Sequence, residues 1–124
     1  ASFALLIAAE FRGRVVAAAQ HNTRSRVLER LLEHCPPDMM APLVEELFHS
    51  VPMLCRDPFG NFVMQRLFEH SGPEQRHRAA AELAPHACKL ARHRQANNAV
   101  RAAIAHCAQE DRLLIAGALL SDRR

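Results

Sequence analysis

The side chains able to do chemistry in this 124-residue chain are eight histidines, four cysteines and a set of polar residues that recur at a fixed interval. Cys35, Cys55, Cys88 and Cys107 form no C-x-x-C pair, so zinc binding and dithiol redox chemistry lack their usual spacing. Small buried thiols in a reducing compartment are the expectation instead. No G-x-S-x-G, P-loop, H-E-x-x-H or paired-carboxylate spacing occurs, which argues against an enzyme and offers no cofactor or metal site. His34, His70 and His106 stand 36 residues apart, and repeated catalytic histidines would serve no single active site. A slot at the end of a helix suits them better, because an imidazole there meets the helix dipole and the last carbonyls. His34-Cys35 and His106-Cys107 are 72 residues apart, too distant along a repeating chain to share a metal, and Met39-Met40 reads as core. The same interval aligns Ser25, Asn61 and Asn97 as small polar residues, and beside the middle one stands Phe62, an aromatic among polar neighbours.

Residues that recur must be positioned by elements that recur. At an offset of 36, Val15–Ser50, Val51–His86 and Ala87–Asp122 fall into line. Leu32, Phe68 and Ile104 share a column, as do Val27, Val63 and Ala99, and Leu47, Leu83 and Leu119. In the middle unit Val51–Arg56 predicts a short first helix, stopped by the turn Asp57-Pro58-Phe59-Gly60. Asn61–His70 predicts a second helix ended by Ser71-Gly72-Pro73, and Glu74–Leu83 a third. The first unit breaks at His21-Asn22 and Cys35-Pro36-Pro37, the last more weakly at His93-Arg94 and near Ala108. Ser2–Glu10 reads as the third helix of a preceding unit, so the chain is expected to be a piece of a longer array. The implied division is 1–13 for that helix, then 14–50, 51–86 and 87–124 for three units, the last degraded.

At ~100° per residue, Val27, Leu28, Leu31 and Leu32 share one arc of the second helix, with Ser25, Arg26, Glu29 and Arg30 opposite. In the middle unit Val63, Met64, Leu67 and Phe68 point inward, and Asn61, Phe62, Gln65 and Arg66 outward. An outward aromatic in so aromatic-poor a chain asks for a ligand surface. Composition agrees with a folded helical stack: 49% hydrophobic, 23% charged, 5% aromatic and only four glycines. The longest apolar run, Phe3–Ala9, is too short to span a bilayer and has no basic stretch ahead of it. A net charge of +3 permits a polyanion partner without demonstrating one.

The run from Asp57 to His70 resembles the second helix of a Pumilio (PUF) repeat. Phe11-Arg12-Gly13-Arg14-Val15, His21 to Cys35, and His93 to Asn98 resemble the corresponding pieces of neighbouring repeats, and the 36-residue period is the family's own. The order of the units is similar to repeats five to seven of the eight-repeat domain. The resemblance covers essentially the whole chain and implies an all-α, right-handed α-solenoid of three-helix units, here a partial array. It implies sequence-specific single-stranded RNA binding, one base per repeat, on a concave face. It further implies a messenger RNA partner, bound at a 3′ untranslated region, and control of translation or decay. A regulatory protein on the convex face and a cytoplasmic location follow from the same resemblance, with no membrane and no small-molecule substrate.

Carried onto this sequence, the base-edge residues are Ser25 and Glu29, Asn61 and Gln65, and Asn97 and Arg101. Positions four apart share one helix face, so two side chains can meet one base edge. The stacking residues are Arg26, Phe62 and Asn98, with Phe62 in place of the more usual Tyr. The family's pattern for Asn61 with Gln65 implies uracil. Ser25 with Glu29 looks like a guanine-reading pair, since an ionised carboxylate accepts from adjacent N–H and NH₂ donors. Arg101 departs from the family's patterns, and five donors without an acceptor imply weak cytosine preference or none. PUF domains run antiparallel to RNA, so the order implied is 5′-(C or any)-U-G-3′. Arg24, Arg26, Arg30, Arg66, Arg92, Arg94 and Arg101 lie on or beside second helices and could attract phosphates. The rival reading is a protein-binding helical-repeat scaffold that has lost RNA readout.

Overall fold

The computed structural model describes residues 3–121, which form ten α-helices and two 3-10 turns with no strand among them. A leading helix α1 (Phe3–Phe11) packs on the first unit, made of α2 (Val15–Ala19), α3 (Arg24–His34) and α4 (Pro37–Leu47). The second unit holds α5 (Val51–Arg56), α6 (Gly60–His70) and α7 (Pro73–Leu83). The third holds α8 (Ala87–Arg92), α9 (Ala96–His106) and α10 (Gln109–Ser121). Phe48–Ser50 and Ala84–His86 are 3-10 turns that lead from one unit into the next. Of the expected boundaries, Ser2 and Asp122 lie outside the described residues.

Each second helix begins at an equivalent side-chain cap. Asp57 Oδ2 accepts from the N–H groups of Phe59 (2.9 Å) and Gly60 (2.7 Å). In the outer units an imidazole replaces the carboxylate. His21 Nδ1 accepts from Thr23 (3.1 Å) and Arg24 (3.2 Å), and His93 Nδ1 from Gln95 (3.1 Å) and Ala96 (3.2 Å). An imidazole can do this only as the tautomer with a bare Nδ1. Gly60 is required by close approach, because a Cβ there would stand 2.8 Å from the Leu54 carbonyl oxygen. Proline opens α4 and α7, where its fixed φ and missing N–H cost nothing.

α3, α6 and α9 lie side by side and carry the most extensive packing in the molecule. Leu28, Leu31 and Leu32 lead into Val63, Met64, Leu67 and Phe68, all buried, and then into Ala99, Val100 and Ala103. Polar ties reinforce the stacking of units. Gln75 accepts from the Gly72 N–H (2.7 Å) and donates to the Pro37 carbonyl (2.9 Å). Glu46 accepts from the Gly13 N–H at 2.8 Å, and Arg78 pairs with Glu45 while lying 4.3 Å over the Phe48 ring. His77 on α7 bonds through Nδ1 to the buried Asp111 of α10 at 2.7 Å, with Glu110 at 3.8 Å.

Candidate nucleic-acid interface

The second helices α3, α6 and α9 pack in series, and each carries one of the expected triplets. Arg26, Phe62 and Asn98 are all exposed, with Phe62 at 45%. Behind them Glu29 and Gln65 are half-buried and Arg101 is exposed.

The first column differs from expectation. Ser25 and Asn61 were placed on the outward arc, yet they are 2% and 1% exposed, and Asn97 is half-buried. The reason is angular: each stands about 20° beyond the last core residue of its helix, at the edge of the arc where the adjoining turn and helix close over it. The amides are also engaged. Asn61 Nδ2 donates to the carbonyls of Asp57 (2.8 Å) and Pro58 (3.0 Å), and Asn97 Nδ2 to those of His93 (2.9 Å) and Arg94 (2.8 Å). Each asparagine therefore fixes the turn before its own helix. Asn61 Oδ1 in turn accepts from Gln65 Nε2 at 3.1 Å, so the pair four residues apart is linked.

Between α3 and the turn that starts α6 lies an open cleft of about 300 Å³ lined by Ser25, Arg26, Glu29, Pro58, Phe59 and Phe62. It gathers the whole first triplet with the stacking residue of the second. Its lining includes the guanidinium of Arg26, the rings of Phe59 and Phe62 and the carboxylate of Glu29. Pro58 and Phe59 were legible only as a turn signal; that they also wall this cleft depends on the neighbouring unit.

The arginines divide into two groups. Arg66 is drawn into a carboxylate cluster, its Nε 3.4 Å from Glu29 Oε1 and 3.8 Å from Glu33 Oε2, while its Nη1 bonds Glu69. Arg30 bonds Glu33 at 2.5 Å. The Arg30 bond, helped by the charges of Arg30 and Arg66, lowers the Glu33 carboxyl from its usual value against the opposing effect of desolvation. Burial pulls the Arg66 guanidinium down, but its bonds to Glu69 and Glu29 outweigh this and raise it. Arg24, Arg26, Arg94 and Arg101 are exposed along the row and form no ion pair among the described residues. His34, His70 and His106 each end a second helix and are exposed, with His70 3.6 Å from Glu69. Burial pushes the thiol of Cys55 up to about 12 and that of Cys107 to about 11, far from thiolate chemistry. No helix among the described residues is long and apolar enough to cross a membrane.

The NOP9-like PUF repeat domain family matches residues 11–121. The Puf4 RNA-binding domain bound to the HO endonuclease RNA 3′ UTR recognition sequence superposes with a TM-score of 0.88 at 18% identity, over 95% of this chain and 37% of that one. PUF-8 in complex with PBE-RNA gives 0.86 at 22% identity, over 92% and 34%. The Puf3 RNA-binding domain bound to a Cox17 RNA 3′ UTR site gives 0.84 at 20% identity, over 90% and 33%. The chain thus spans about a third of the length of these structures. No curated protein sequence matches it.

Proposed function

Because this chain belongs to the NOP9-like PUF repeat domain family, we propose that it binds single-stranded RNA along the row of α3, α6 and α9, one base per unit. The observation that carries this reading is the cleft uniting Ser25, Arg26 and Glu29 with Phe62. Guanine stacks there between the Arg26 guanidinium and the Phe62 ring, and its N–H and NH₂ donors meet Glu29. Uracil follows at Asn61 and Gln65, exchanging the 3.1 Å bond between the two amides for bonds to its own edge. Asn97, Asn98 and Arg101 take the remaining base with little discrimination, because Arg101 has donors only. The exposed Arg24, Arg26, Arg94 and Arg101 supply attraction for the phosphate chain. The whole protein's role is then a messenger RNA binder in the cytoplasm that acts on translation or decay through 3′ untranslated regions, with a regulatory protein on its convex face.

The test is a fluorescence-anisotropy titration of the chain with a short labelled RNA containing U-G and with its scrambled version, at two salt concentrations. The expected result is preferential binding, in the range of about 1 μM or weaker for three units, that falls as salt rises. Equal and salt-insensitive binding to both overturns the reading in favour of a protein-binding scaffold.

A further inference from the structure

We propose that Arg66 is a specificity-positioning residue for Glu29 of the preceding unit, so that guanine selection by the first unit depends on a side chain of the second. The proposal rests on the base reading given above. Arg66 stands on α6 and Glu29 on α3, yet Nε of one lies 3.4 Å from Oε1 of the other. Both side chains are largely covered, and Arg66 is itself anchored by Glu69 on its own helix and by Glu33 across the interface. A guanidinium tied at three carboxylates is not free to leave for a phosphate. It acts as a fixed post.

A free glutamate samples many rotamers, and a base that must order it loses affinity and discrimination together. The bond from Arg66 removes that freedom in advance. A carboxylate offers about four lone-pair sites, so accepting from Arg66 leaves Glu29 able to take two donors from a base. The cleft lined by Glu29 is where that base would enter.

Among the described residues the device occurs at one interface. The residues 36 positions either side of Arg66 are Arg30 and Ala102. Arg30 turns to Glu33 on its own helix, and an alanine cannot reach Gln65 at all. Gln65 is held instead within its own helix, by Asn61. The middle unit's reader is therefore positioned internally and the first unit's reader from outside.

The experiment measures, by anisotropy at low salt, the affinity ratio for two short RNAs that differ only in G or A opposite the first unit. The unaltered chain, E29Q, R66M and the double variant are compared, with circular dichroism to verify folding. R66M is expected to lower the G-over-A ratio about tenfold, the scale of one charge-assisted hydrogen bond, and to leave the U-over-C ratio at the middle unit unchanged. Adding R66M to E29Q is expected to lower the ratio no further. A ratio that E29Q abolishes and R66M leaves intact overturns the proposal. If E29Q itself leaves the ratio unchanged, it is the base reading that falls. Should R66M fail to fold, R66K keeps the charge without the planar fork and is expected to lower the ratio about threefold; an unaltered ratio in R66K overturns the proposal equally.

Discussion

The middle and last units share a plan and differ in how firmly they hold their second helix. In the middle unit α6 is flanked by α3 and α9, capped by a carboxylate, and filled underneath by Met64, Leu67 and Phe68. Its polar pair is linked at 3.1 Å and an aromatic stands beside it. In the last unit the equivalent core positions hold Val100, Ala103 and Ile104, the last 37% exposed, and the cap is an imidazole. Leu113, Leu114 and Leu120 of α10 are exposed as well. The buried residues of α9 are Ala96, Ala99, Ala102 and Ala103 with Val100, so its core face is made mostly of alanines. The proposed base discrimination needs side chains held to a fraction of an ångström, and that stiffness comes from large side chains packed below them.

The sharpest way to break this comparison is to empty the two cores. Phe68→Ala is expected to cost about 3–5 kcal/mol in urea unfolding, whereas Ile104→Ala in the same column costs about 1 kcal/mol. Equal losses would mean that the last unit is as tightly packed as the middle one. Next in size is stacking. Phe62→Ala should weaken RNA binding by about 1–3 kcal/mol in an anisotropy titration, and Asn98→Ala, which has no ring to lose, by much less. The smallest effect concerns how the two units are joined. The bond His77 donates to Asp111, helped by the carboxylate's charge, raises the His77 pKa above the ordinary 6.5. A raised histidine contributes stability that is fully present below about 6.5 and fades as pH rises through the folded-state value. Thermal midpoints should therefore fall slightly over that window in the unaltered chain. His77→Gln should flatten the slope; an unchanged slope would remove His77 from the joint.

Much of the architecture was legible because it is local. Turn residues such as Asp57-Pro58-Phe59-Gly60 and the 3.6-residue rhythm of Val63, Met64, Leu67 and Phe68 act within a few positions, and α6 came out at Gly60–His70 where Asn61–His70 was expected. The column His21, Asp57 and His93 was visible as a run of breaks, but nothing in a histidine announces that its Nδ1 will accept two backbone N–H bonds. Ser25 and Asn61 were assigned to the wrong side of the burial line. Their helix angle sits at its edge, and only the neighbouring elements decide which way such a residue falls.

The sequence by itself therefore determined the helices, the 36-residue repeat and the outward position of Arg26 and Phe62, since each follows from spacing along one strand of chain. Only the tertiary structure decided that Glu29 meets Arg66, 37 residues further on, and that Phe59 and Phe62 close a cleft against Ser25. Those relations arise when one unit is laid against the next. The packing angle between two helices belongs to both, and neither stretch of sequence carries it alone.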